Sequence, residues 1–174
     1  IEEELKYIPS YLTEQVIEEE LKKGRIDLRE EEIFTIDGSD TKDIDDAISY
    51  KKLKNGNHEL TVSIADVSYY VKEGSEIDKE AYTRATSIYF PGGAEPMLPP
   101  KLSNGICSLN PNVDRLALSC VMHINTKGHV KDYKIFKSVI RSKKQMTYNC
   151  VNEILENNNI PEGYEDFVEA LKLM

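Results

Sequence analysis

Five aspartates crowd into ten consecutive residues of this chain, Asp37-Gly38-Ser39-Asp40-Thr41-Lys42-Asp43-Ile44-Asp45-Asp46. Each carries a negative charge on a short, stiff stem, so their convergence is costly unless the segment stays solvated or a cation joins it. The flanks argue against a loose acidic tail. Phe34-Thr35-Ile36 before the run and Ala47-Ile48-Ser49-Tyr50 after it are apolar and β-prone, which predicts a short loop pinned between two strands. Hard oxygen ligands held in this way suit Mg²⁺ or Mn²⁺ acting on phosphates. A solvated acidic turn is the plain alternative. A calcium loop of the EF-hand type fails: counting from Asp37, its glycine position holds Lys42 and its closing glutamate position holds Ile48. A two-metal phosphodiester centre passes the same test. Asp43, Asp45 and Asp46 offer two orientations from neighbouring positions, and Asp37 can reach in from the end of the preceding strand.

The rest of the chain sets this loop in one ordinary domain, since 174 residues with 40% apolar content can bury a real core. The formal net charge of -9 argues against a free-standing nucleic-acid binder with a basic face. Five of those charges, however, lie in one segment that bound metal would partly neutralise. Much of the remaining excess sits in Glu2-Glu3-Glu4, Glu18-Glu19-Glu20 and Glu30-Glu31-Glu32. Cys107, Cys120 and Cys150 have neither the spacing of a zinc site nor that of a disulfide framework, so reduced thiols in a cytoplasmic protein are expected. No apolar run is long enough to span a bilayer, and no membrane partner is expected.

Local signals predict an opening helix capped at Thr13, with Val16, Ile17 and Leu21 on one face and a stop at Gly24. Residues 1–30 read as a linker helix preceding the catalytic unit of residues 31–174. A strand to about Leu53, the turn Lys54-Asn55-Gly56-Asn57 and a return strand Leu60 to Val67 form a hairpin. A second hairpin turns at Thr126-Lys127-Gly128, joining Leu116–Ile124 to Val130–Ile140. Between the hairpins come a helix near Ile77–Ala85 and a proline-studded loop from Tyr89 to Pro100. Thr147 caps a helix with Val151, Ile154 and Leu155 facing inward, and Phe167 to Met174 looks like a helix cut short. The fold class is α/β (α+β), a mixed, largely antiparallel sheet with flanking helices.

The acidic run and its surroundings, Thr35 to Ala47, closely resemble the signature of the ribonuclease II/ribonuclease R family. Further blocks follow in family order: Gly24-Arg25-Ile26-Asp27-Leu28-Arg29, Ile64-Ala65-Asp66-Val67-Ser68, Thr86-Ser87-Ile88-Tyr89-Phe90-Pro91, Pro96-Met97-Leu98-Pro99, Leu102 to Pro111, and Val139-Ile140-Arg141-Ser142. The match looks closer to the ribonuclease R branch. Ser63 and Tyr69 depart from it, standing where many members carry histidine, and read as packing or surface differences.

The resemblance implies a truncated RNB-type catalytic domain, of which this chain would be the amino-terminal portion. The arginine, the glutamate and the second aromatic clamp of the later half would be missing, as would the cold-shock and S1 domains of the same parent protein. It implies Asp37, Asp43, Asp45 and Asp46 as the catalytic set. Asp37, Asp43 and Asp46 would hold Mg²⁺ (or Mn²⁺) and Asp45 would lie nearest the attacking water, with Asp40 outside the site. Tyr89 would be the clamp on the last base of single-stranded RNA. The implied activity is processive 3′→5′ hydrolysis to 5′-mononucleotides. The alternative is a non-catalytic fragment that binds metal or protein. Arg141, Lys143 and Lys144 form a basic group with no assigned role, and His58, His123 and His129 read as structural or surface residues.

Overall fold

The computed structural model describes all of residues 1–174. Its frame is one seven-stranded sheet in the order β1-β8-β7-β4-β3-β2-β9. The strands are β1 (Ile26–Asp27), β2 (Phe34–Asp37), β3 (Asp46–Lys52), β4 (His58–Ala65), β7 (Asp114–Ile124), β8 (Val130–Arg141) and β9 (Lys144–Thr147). All neighbours run antiparallel except β1 with β8 and β2 with β9. A separate ribbon pairs β5 (Ile88–Phe90) with β6 (Gly93–Glu95). The sheet is therefore mixed and largely antiparallel, with helices around it.

Both long hairpins turn where the sequence predicts. In the first, the Asn55 side chain accepts the Asn57 N–H at 3.0 Å. Gly56 takes the left-handed φ of +84° that the turn needs. In the second, Asn125 Oδ1 accepts the N–H groups of Lys127 and His129.

Adjacent residues of a strand face opposite sides of the sheet, which divides the core. Ala47, Ala65 and Ala117 pack on one side with Ile44, Leu102 and Ile106. Small side chains there let the irregular helical turn Lys101–Ile106 approach closely, beside α1 (Glu2–Tyr7), α3 (Val67–Tyr70) and α4 (Glu76–Arg84). On the other side, Phe34 and Met146 meet Val151 and Ile154 from α5 (Tyr148–Asn157), Leu171 from α6 (Val168–Leu173) and Tyr164 from the segment between them. Ile17 of α2 (Glu14–Lys22) covers Leu116 and Val139. Between these covers a stripe of Ile64, Leu118 and Ile135 lies open on β4, β7 and β8.

Several expectations are corrected. The single opening helix is instead two, α1 and α2, followed by β1; Leu5 and Ile8 join the main core and Leu28 N–H bonds Val139 O at 2.8 Å. The proline-studded loop contains the β5–β6 ribbon. Leu155 faces solvent, 47% exposed, although its neighbours Val151 and Ile154 are buried. Val67 opens α3 instead of ending β4. Thr13 and Thr147 do cap their helices, accepting the N–H groups of Val16 and Cys150.

Two polar networks lie inside. Ser63, Ser119 and Ser138 join their hydroxyls in a row, 2.7 Å per step, and Ser138 donates on to Ala117 O at 3.3 Å. Ser63 is thus buried packing. Beside this row the buried Arg25 grips Glu20 and Asp66 at 2.7 Å each, and its Nη1 reaches the carbonyls of Ala117 and Ser138. Tyr69 lies under this guanidinium, 5.5 Å from ring centre to Cζ. Burial alone would raise the pKa of Glu20 and Asp66. Hydrogen bonds from Lys23 and Arg25 to Glu20, and from Arg25 and Ser68 to Asp66, outweigh it, so both carboxyls titrate below their ordinary values.

Replacing Arg25 by Met leaves two buried carboxylates with one weaker partner each, Lys23 and Ser68, so urea unfolding at pH 7 should show a loss of about 3–5 kcal/mol. In the native chain both carboxylates contribute fully above about pH 4.3 and lose that contribution as acid protonates them. In the variant burial is opposed chiefly by Lys23 at Glu20 and Ser68 at Asp66, so protonation is favoured more than in the native chain. The stability gap between the two proteins should therefore shrink as the pH falls toward 4.

Candidate active site

The acidic loop links β2 to β3, with Asp37 closing one strand and Asp46 opening the next. Its geometry turns on Ile44, which is fully buried in the main core. An apolar residue anchored inward between Asp43 and Asp45 forces both carboxylates to the outer side. The loop is tied at several points. Ile44 O accepts the Leu109 N–H at 2.8 Å and Asp45 O accepts the Ala65 N–H at 3.0 Å. Gln145 of β9 donates to Thr41 O at 3.3 Å.

Asp37 is half-buried, and its Oδ2 is sealed from solvent without a hydrogen-bond partner, as is Thr35 Oγ1 two residues earlier on the same strand face. Burial, with the charges of Asp46 and Asp43, raises the pKa of Asp37 against the opposing pull of the nearby Thr35 hydroxyl, which does not reach hydrogen-bond geometry with the sealed oxygen. Asp45 has an exposed side chain in a crowded setting. Desolvation first, then Asp43, Asp46 and Asp37, raise its pKa as well. The four expected carboxylates thus lie within electrostatic reach of one another. Asp40 is exposed and is not among the charges acting on Asp37 or Asp45.

A cleft of about 730 Å³ opens between this loop and the β5–β6 ribbon, lined in part by Asp40, Lys42, Asp43, Ser87 and Tyr89. Arg84 holds the ribbon in place. It pairs with Glu80 at 2.9 Å and with Glu95, and reaches Pro96 O at 3.1 Å. Tyr89, 66% exposed, presents its ring to the cleft and donates its hydroxyl to Asp43 Oδ2. That bond raises the tyrosine's pKa.

No three His, Cys, Asp or Glu side chains are arranged to grip a metal ion as they stand. The donor chemistry nevertheless fits a hard divalent cation: an orphaned, buried carboxylate oxygen among mutually repelling carboxylates is what such an ion relieves. The basic group is engaged elsewhere. Arg141 forks onto Asp114, Lys143 donates to Arg29 O, and Lys144 sits 4.7 Å from the centre of the Tyr164 ring. His58 bonds Tyr50 and His123 bonds Glu59 at 3.0 Å. Sequence reasoning assigned no role to the Ser108–Leu109 step beneath the loop. Its only signal there was that these residues lie in a motif block.

A family model described as the RNB domain matches residues 25–173. Ribonuclease R 1 of Lactococcus lactis is 51% identical over 162 residues, covering 92% of this chain and 20% of that protein. Ribonuclease R of Thermotoga maritima is 54% identical over 148 residues, covering 85% and 21% respectively. The solved structure of Mycoplasma genitalium RNase R in complex with ribose methylated single-stranded RNA matches with a TM-score of 0.81 at 36% identity. That match covers 93% of this chain and 27% of that one. The chain spans about a fifth of the length of the curated relatives it matches.

The raised pKa of Asp45 implies that its charge opposes folding at neutral pH when no cation is present. The folded chain binds the proton more tightly than the unfolded chain, so this destabilisation is complete above the folded pKa and absent below about pH 3.9. Asp45→Asn should therefore raise the thermal midpoint in chelator at pH 7 by about 1–3 °C, with solvent screening keeping the effect small. The difference should vanish in acid.

Proposed function

The chain belongs to the RNB domain family, and on that premise we propose that it carries the acidic centre of a 3′→5′ exoribonuclease releasing 5′-mononucleotides from single-stranded RNA. The observation that carries the reading is the mutual proximity of the carboxylates of Asp37, Asp43, Asp45 and Asp46, with Asp43 bonded to Tyr89 across the cleft. Ribonuclease R relatives and the RNA-bound Mycoplasma structure support the substrate class.

Asp37, Asp43 and Asp46 are the residues to hold Mg²⁺ or Mn²⁺. Such a cation, when bound, would acidify water and offset charge on the attacking and leaving oxygens. Asp45 keeps a carboxylate free to orient the attacking water and accept its proton, aided by a pKa that desolvation first and neighbouring charges second hold up. Tyr89 offers its exposed ring to the terminal base, a contact of roughly 1–3 kcal/mol that tolerates any sequence. Its hydroxyl on Asp43 ties the stacking group to the acidic loop, so base position and phosphate position are set together. The three free cysteines suit the reducing cytoplasm.

A second reading, a metal- or protein-binding unit with no turnover of its own, is favoured for the 174 residues alone by the fifth of a relative's length that they span. Of the basic side chains, Arg141, Lys143 and Lys144 are committed elsewhere, which leaves Lys42 as the cation lining the cleft.

In a full-length ribonuclease R carrying this segment, Asp45→Asn should lower turnover about 100-fold or more while RNA affinity stays within about threefold. Normal turnover in that variant would remove Asp45 from the reaction. Tyr89→Ala should leave longer end products on a labelled single strand, read on a denaturing gel. The 174-residue chain by itself should release no mononucleotides with Mg²⁺ present, and Asp45-dependent release would exclude the non-catalytic reading.

A further inference from the structure

Ser108 is completely buried, yet its hydroxyl is fully used by the acidic loop: it donates to Lys42 O at 2.7 Å and accepts the Ile44 N–H at 3.1 Å. These two backbone groups lie on either side of Asp43. One side chain thus fixes the peptide units that decide where Asp43 and Asp45 point, and the adjacent Leu109 N–H fixes Ile44 O. The segment bearing Ser108 is braced in turn. Arg115, 7% exposed, donates Nε to Ser108 O at 2.7 Å, Nη2 to Gly105 O at 3.1 Å and Nη1 to Asp114 O at 2.9 Å. It aims its planar fork at carbonyls, a geometry that lysine cannot reproduce.

We propose that Ser108, backed by Arg115, is a positioning residue for the acidic centre, holding the Asp43–Asp45 backbone so that both carboxylates keep their places in that centre. This rests on the reading of that loop as the reacting centre. Ser108→Ala removes both hydrogen bonds while leaving the apolar anchor Ile44 in place. The control is Ser119→Ala, which removes buried hydroxyl contacts of the same kind from the serine row, away from the loop.

In the 174-residue chain, amide exchange at Ile44 should speed up about tenfold in Ser108→Ala and stay unchanged in Ser119→Ala. Mn²⁺ titration should weaken about tenfold in the first variant alone. In the full-length enzyme, kcat should fall about 10- to 100-fold with KM for RNA unchanged, the response to a small misplacement of reacting groups. Arg115→Lys should move the same three readouts in the same direction and serves if Ser108→Ala does not fold. Equal losses in Ser108→Ala and Ser119→Ala would reduce Ser108 to a purely structural role and overturn the proposal, as would an unchanged Ile44 exchange rate. If Asp45→Asn retains full activity, the reading of the centre fails separately. Ile44 exchange still decides whether Ser108 holds the loop.

Discussion

Carboxylates that repel one another do not assemble by themselves, so a site made of four of them depends on something else holding the backbone. Here the holder is an isoleucine. Ile44, sunk in the core between Asp43 and Asp45, draws on burial worth roughly 1.5–3 kcal/mol to keep its charged neighbours outside. The pattern Asp-Ile-Asp-Asp is therefore a mechanical statement as well as a chemical one: the apolar residue sets the direction of the polar ones. The remaining strain shows in the raised pKa values of Asp37 and Asp45 and in the orphaned Asp37 oxygen. A fold that accepts such repulsion is placing function above stability at this point.

The surrounding architecture brings the two walls of the cleft together from distant parts of the chain. β2 and β3 carry the acidic loop at one end of the sheet, and the β5–β6 ribbon carries Tyr89, steadied by Arg84 from the end of α4. Ile44, Leu102 and Ile106 share one core cluster, so the loop and the turn beneath it are packed as a unit. The charged group Glu20–Arg25–Asp66 ties α2 to the junction of β4 and α3 on the far side of that core. Docking of the first thirty residues follows from this ion pairing and from Leu5 and Ile8. None of those contacts is visible as periodicity in a stretch dominated by glutamates.

Much of the fold was legible because its signals are local. Asn-Gly and Lys-Gly turns between alternating segments gave both long hairpins, and threonine caps gave two helix starts. The acidic loop was legible because β-prone flanks bracket it. What escaped depends on contacts distant in sequence. β1 and β9 are two and four residues long and exist only as parallel partners of β8 and β2. The β5–β6 ribbon hides in three-residue strands on a glycine turn. Leu155 has the spacing of an inward residue but is 47% exposed, since Val151 and Ile154 take the buried face of α5. Alternation on β4 and β7 marked two faces without saying which would be covered, and Ile64 and Leu118 remain open. Ser108 could not be singled out, since a buried serine and a surface serine read alike.

The row of buried serines has a property of its own. A line of hydroxyls can run in either direction, each donating left or each donating right, and usually samples both. Here the row ends on the carbonyl of Ala117, which can only accept. The sense Ser63 to Ser119 to Ser138 to Ala117 uses every hydroxyl proton, whereas the reverse sense forgoes the 3.3 Å contact with the carbonyl. A single acceptor thus biases the row toward one of its two senses. The seam across β4, β7 and β8 is consequently polar yet uncharged and biased in direction, built of hydroxyls with no charge to gain or lose as acidity changes.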